Sequence, residues 1–200
     1  LAIADTRAPD WKYVCKVWPQ PRTTRQNLDD LQLATQLGIE KNVTYTTNRV
    51  SRNFMPWLIA ACDIYAAPSR LEGFGMAQIE AGACEKPVIG IRAMGMLDTL
   101  VHGESAFLAE VAQEVIMKET VLGGESGYEK NHRLVFRSPR TVDYRASVHD
   151  IANYLMDLMT DPHLRERLGK AGRKRAVEHY DYRVVARRFV QLVSTKLGVS

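Results

Sequence analysis

One stretch constrains this chain more than any other: Pro68-Ser69-Arg70-Leu71-Glu72-Gly73-Phe74-Gly75-Met76-Ala77-Gln78-Ile79-Glu80-Ala81, running on to Lys86-Pro87-Val88-Ile89-Gly90. It reads as loop, helix, turn and strand. Pro68, Ser69 and Gly73 are turn residues. From Phe74 to Cys84 only Gln78 and Glu80 are neither apolar nor small, which predicts a helix packed on most sides. Pro87 stops it, and Val88-Ile89 begins a buried strand. One carboxylate, Glu80, stands inside this helix and a second, Glu72, just ahead of it. A bare buried charge costs more than a fold can absorb, so such a pair demands partners or a wet cavity.

The residue order points to the kind of partner. Gly73-Phe74-Gly75 opens a helix whose free N–H groups and dipole suit an anion such as a phosphate. Glu80 lies roughly 9 Å along the axis from Phe74, at about 1.5 Å per residue, and its side chain leans back toward that end. A carboxylate repels phosphate but accepts hydrogen bonds from hydroxyls. A phosphate between two hydroxyl-rich groups describes a sugar nucleotide, with Glu80 on the ribose diol and Glu72 on the sugar.

The Glu-x7-Glu pair within Pro-Ser-x-x-Glu-Gly-Phe-Gly, followed by Lys-Pro-Val, resembles the donor-binding domain of the GT4-type (group 1) retaining glycosyltransferases of the two-domain GT-B fold. The resemblance runs from about Lys12 to Leu108 and resumes from about Asp143 to Lys196. It implies catalytic contact of Glu72 with the donor sugar and of Glu80 with the ribose. Gly73, Phe74, Gly75 and Met76 would surround the diphosphate and sugar with their amides. It further implies transfer of a sugar from a UDP- or GDP-type donor to an acceptor, with no cofactor and no essential metal. Where the family usually has a glycine pair followed by Glu, this chain has Gly95-Met96 and Asp98.

Strand-like segments (Trp11 to Val17, Val43 to Thr46, Asp63 to Ala67, Val88 to Ile91, Ser105 to Leu108) alternate with helix-like ones. That order predicts an α/β fold with a Rossmann-like, mostly parallel sheet covered by helices on both faces. The helices are expected along Leu28 to Leu37, from a Ser51 cap to Cys62, and near Leu97 to Val101. Three more should finish the chain, with Asp161-Pro162 and Asp181 at helix starts and a last stripe of Val185, Phe189, Leu192 and Val193. Ala109 to Leu122 is helix-like in composition and Gly123-Gly124 stops it. Glu125 to Arg133 is polar and loop-like and Leu134 to Phe136 a small strand. The resemblance, whose family usually passes from the equivalent of Leu108 to the next helix in fewer residues, implies that residues 109–142 are an insertion.

At 200 residues and 46% hydrophobic, the chain suits a single domain spanning residues 1–200. Its abrupt opening, Leu1-Ala2-Ile3-Ala4-Asp5, resembles a helix tail. A first strand-helix unit with the family's basic diphosphate clamp, and an N-terminal acceptor domain, are therefore expected to precede it, and this piece alone should be inactive. Three separated cysteines, Cys15, Cys62 and Cys84, suit buried thiols in a reducing, cytoplasmic setting. The five histidines show no metal-ligand spacing, and there is no Asp-x-Asp motif. Net charge +4 does not call for nucleic acid. The basic run Arg165, Arg167, Lys170, Arg173, Lys174 and Arg175 reads as a solvated helix face or as a peripheral contact with anionic membrane. Beside the glycosyltransferase reading stand a non-catalytic nucleotide-binding module and another GT-B enzyme, such as a sugar-nucleotide epimerase.

Overall fold

The computed structural model describes residues 10–17, 21–122 and 132–198, apart from the side chains of residues 21–27, 122, 132, 141 and 142. The helix-like opening, the Gly123-Gly124 stop and most of the Glu125 to Arg133 loop lie outside the described residues. Two compact units divide the chain, Leu1–Leu58 and Ile59–Ser200.

The first unit holds β1 (Tyr13–Lys16), α1 (Pro21–Gln36) and β2 (Val43–Thr46). The strands pair in parallel, Tyr13 opposite Val43 through Lys16 opposite Thr46. Val43, Thr44 and Thr46 are β-branched and fit a pleated surface. Asn42 donates its side-chain amide to the Trp11 carbonyl at 2.7 Å, and the Tyr45 hydroxyl donates to Asp30 at 3.1 Å. The expected Ser51-to-Cys62 helix is shorter than its apolar stripe suggested: residues 52–54 turn first, and α2 covers Met55–Ala60.

The second unit is built on a parallel sheet in the order β3 (Tyr65–Ala66), β4 (Val88–Ile91), β5 (Ala106–Ala109). Between them run α3 (Met76–Ala83) and α4 (Met96–Thr99). Every residue of β4 is buried, as an apolar central strand covered on both faces should be. Ile89 of β4 forms the core with Leu158 and Leu168, flanked by Ile64, Phe107 and Leu164. Those leucines come from α5 (Val148–Thr160) and α6 (Pro162–Arg175). Ser147 and Asp161 cap these helices, accepting from the Asp150 and Leu164 N–H groups. His102 is structural: its Nδ1 accepts from the Leu108 N–H at 3.0 Å, and its ring leans on Phe107 and Tyr154.

Residues 109–122 are not a helix. Past Ala109 the chain forms β6 (Val111–Leu122), antiparallel to β7 (His132–Ala146) in a separate two-stranded ribbon. Helix-favouring Glu, Gln, Met and Lys misled the composition. Val111, Val115, Ile116, Thr120 and Val121 are β-branched, and cross-strand pairing with β7 overrode local propensity.

Four arginines of the basic run are tied to main-chain carbonyls, while Lys170 and Lys174 of the same run stand exposed. Arg173 donates to the Ala83 carbonyl, the last of α3. Arg175 donates to the Thr99 and Asp98 carbonyls at the end of α4, at 2.7 and 2.8 Å. Arg165 donates to the Leu158 and Met159 carbonyls in the last turn of α5. Helix C-termini leave carbonyls unpaired and carry partial negative charge. Three arginines of one helix thus cap three others, and Arg167 reaches the Gly103 carbonyl at 3.1 Å. Beyond α6 a π-helical turn, Ala176–Tyr180, leads to α7 (Tyr182–Leu197). The stripe expected to pack there is exposed along Val185, Phe189 and Leu192, and α7 buries no residue. Among the described residues, no helix is long and apolar enough to cross a membrane.

Candidate functional site

The carboxyl ends of β3 and β4 deliver two loops to the same end of the sheet, where open α/β sheets place their ligands. The first is 67–75, carrying Glu72; the second is the turn at Met94-Gly95. The two loops hold each other. The Glu72 N–H faces the Met94 sulfur at 3.3 Å, and the Gly95 N–H faces the Glu72 carbonyl at 3.4 Å. A Cβ on Gly95 would lie 2.3 Å from the Gly73 carbonyl oxygen and 2.5 Å from Phe74 Cα, so only glycine permits this approach. Thr99 Oγ1 steadies the turn, donating to the Gly95 carbonyl at 3.1 Å.

The Glu72 side chain folds onto its own loop. Oε1 accepts from the Gly75 N–H at 3.0 Å and from the Phe74 N–H at 3.3 Å. Gly75, at φ 87° in the left-handed region, turns the chain into α3. The Phe74 and Gly75 N–H groups at the start of α3 thus face a negative charge from within their own loop, the Glu72 carboxylate.

Glu80 is exposed on α3, not packed in. The helix buries Gln78, Ala81 and Gly82, one stripe at i, i+3 and i+4, and turns Met76, Ala77 and Glu80 outward. The buried polar side chain is Gln78, at 1% exposure, whose Nε2 donates to the Ala67 carbonyl at 3.2 Å. It ties α3 to the loop that follows β3. Glu80 and Glu72 come near one group, the half-buried Tyr65 phenol. Burial first, then Glu80, then Cys62 and Glu72, push its pKa above the usual tyrosine value.

The structure adds residues that the sequence did not single out. The Phe74 ring meets Tyr180 edge to face, centroids 5.8 Å apart, and the Tyr180 hydroxyl donates to the Asp98 carbonyl at 2.8 Å. Arg175 lies over the Tyr180 ring at 5.9 Å. The π-helical turn thus backs the loop from the far end of the unit. Arg70 is held by Asp143 of β7. No local spacing announces either contact.

With this geometry in hand, comparison with known proteins decides the family. The model of the glycosyl transferases group 1 matches residues 26–138, more than half of the chain and all of the loop. The chain belongs to the group 1 glycosyl transferases. A relative from Mycolicibacterium smegmatis, a GDP-mannose-dependent alpha-(1-6)-phosphatidylinositol monomannoside mannosyltransferase, is 27% identical over 175 residues, covering 84% of this chain and 37% of that protein. The Staphylococcus aureus capsular polysaccharide biosynthesis glycosyltransferase CapM is 28% identical over 138 residues, 69% of this chain and 27% of its own. This group 1 chain thus spans little more than a third, or less, of these curated relatives. Among solved structures, Anabaena HepE in complex with UDP matches 98% of this chain and 44% of its own, at TM-score 0.70 and 20% identity. Sucrose-phosphate synthase from Thermosynechococcus elongatus matches 100% of this chain and 41% of its own, at TM-score 0.69 and 20% identity. These likenesses confirm the α/β architecture of GT-B glycosyltransferases for this member of the group.

Proposed function

We propose that this chain is the donor-binding domain of a retaining glycosyltransferase that moves a sugar from a nucleoside-diphosphate sugar to an acceptor held by a separate N-terminal domain. Two things support a sugar nucleotide of the UDP or GDP type. The mannosyltransferase relative is described as GDP-mannose-dependent, and the structural neighbour HepE holds UDP-glucose. The observation that carries the reading is the Glu72 carboxylate resting on the Phe74 and Gly75 N–H groups, with Glu80 exposed on the helix they open.

In this reading the donor diphosphate takes those amides and displaces Glu72. The freed carboxylate then accepts a hydroxyl of the sugar being transferred, while Glu80 accepts the ribose diol. The backbone of Gly73, Phe74, Gly75 and Met76 lines the phosphates. Catalysis rests on positioning and on dipoles aimed at the departing diphosphate. No metal is required in this scheme. A peripheral contact with anionic membrane would have to draw on cations other than Arg165, Arg167, Arg173 and Arg175, which are committed to main-chain carbonyls.

The test is calorimetry and turnover with the full-length protein and a panel of nucleotide sugars. Glu80→Gln should weaken bare nucleoside diphosphate and sugar nucleotide alike, by roughly tenfold or more, since a charged hydrogen bond is worth about 1.5–3 kcal/mol. Glu72→Gln should behave differently. Bare diphosphate loses a competitor for the amides and binds at least as well, whereas the sugar nucleotide binds more weakly and turnover collapses. A chelator should leave all of these values in place. Unchanged affinity in the Glu80 variant removes it from the ribose site, and equal losses for both ligands in the Glu72 variant remove it from the sugar. Binding without turnover in the wild type leaves a nucleotide-binding module.

A further inference from the structure

The Arg70–Asp143 contact has no part in the donor-site reading, yet it joins segments 73 residues apart. Arg70 stands two residues before Glu72. Its Nε donates to Asp143 Oδ1 at 2.8 Å and Oδ2 at 2.9 Å, and Nη2 also meets Oδ2. Asp143 is the buried partner, at 7% exposure, on a ribbon whose side chains are largely exposed. The Arg70 fork holds its carboxyl below the usual carboxylate range, with Arg145 adding to it from 3.2 Å. The next ribbon residue, Tyr144, donates its N–H to the Arg70 carbonyl at 2.9 Å. Two consecutive residues thus grip both the side chain and the main chain of Arg70. A forked arginine-carboxylate pair fixes orientation as well as distance.

The ribbon is shaped for this grip. Its register passes from Val115 opposite Asp143 to Ile116 opposite Thr141, leaving one extra residue in β7 beside Asp143. A bulge bends its strand and re-aims the adjacent side chains. The ribbon root is closed by the Ser147 N–H on the Glu110 carbonyl at 2.8 Å. On the other side of the loop, Met94 and Gly95 hold the Glu72 peptide. Residues 70–72 are therefore held from both sides, and the Glu72 carboxylate reaches its two N–H partners from a fixed backbone.

We propose that Arg70 and Asp143 are positioning residues for Glu72, and that the root of the β6–β7 ribbon acts as a strut for the loop. The contact stands by itself; only its consequence for turnover rests on the glycosyltransferase reading.

Hydrogen exchange and kinetics on the full-length protein separate the two. In Asp143→Asn the Phe74 and Gly75 amides should exchange roughly tenfold faster or more, as loss of a charged hydrogen bond implies, while β4 and β5 keep their protection. Exchanging the pair, Arg70→Asp with Asp143→Arg, should restore slow exchange. Arg70→Lys keeps the charge but loses the fork; it should fall between, and it decides the matter if Asp143→Asn does not fold. With the best nucleotide sugar of the panel, kcat should fall more than KM rises, as expected when a transition-state contact is misplaced. Unchanged exchange at Phe74 and Gly75 in a folded variant overturns the strut. Slow exchange lost in the variant, with no nucleotide sugar bound by the wild type, supports the strut and overturns the glycosyltransferase reading instead.

Discussion

Gly95→Ala should cut sugar transfer by the full-length protein roughly a hundredfold, the loss that about 1 Å of misplacement can cause at a reacting centre. The added methyl would sit 2.3 Å from the Gly73 carbonyl oxygen and 2.5 Å from Phe74 Cα, both main-chain atoms. A flexible side chain could swing away; a backbone must move as a segment. The segment that moves carries Glu72 and the two N–H groups that hold it. Overpacking of this kind also costs about 1–3 kcal/mol in stability, so turnover should be measured well below the melting transition, with circular dichroism as the check on folding. Wild-type turnover in a folded Gly95→Ala protein would mean that the turn and the loop do not approach this closely in solution.

Leu158→Ala should have the largest effect on stability alone, about 2–5 kcal/mol. Leu158 is fully buried where α5, α6 and the central strand meet, against Ile89 and Leu168. Native domains hold only about 5–15 kcal/mol in all. Urea denaturation should show the midpoint falling with an unchanged slope, the mark of lost stability without a change in the surface exposed. A shift worth less than about 1 kcal/mol would mean that the neighbours collapse into the gap more completely than buried leucine sites allow.

Much of the second unit was legible because its signals are local. Val88-Ile89 after Pro87 gave the buried strand, and Asp161-Pro162 gave a helix start whose cap now has a partner in the Leu164 N–H. The loop, its turn residues and the glutamate spacing were likewise readable from neighbouring positions. Glu80 was misjudged by counting apolar residues without assigning them to faces. Gln78, Ala81 and Gly82 share the buried stripe at i, i+3 and i+4, which leaves Glu80 outside. The long ribbon was missed because β6 finds its stability in β7, and propensity sees no partner. The division of labour within the basic run was not legible either: its charges look alike in sequence, and only the fold shows that Arg165, Arg173 and Arg175 each reach a helix end. Arg70 and Asp143 have no spacing rule at all; only the fold brings them together.

The π-helical turn at Ala176–Tyr180 makes residue count, and not only residue type, a determinant of the loop. Each residue of an α-helix advances the chain by about 100°, and the wider turn is tuned by a single residue more or fewer. Tyr180 reaches Asp98 and Phe74 from the end of that turn. A one-residue deletion between Arg175 and Asp181 would keep nearly every side chain and still swing this phenol away from both. Insertions and deletions there act on the Glu72 loop at a distance in sequence, whereas substitutions of the exposed Phe189 and Leu192 of α7 should leave it untouched.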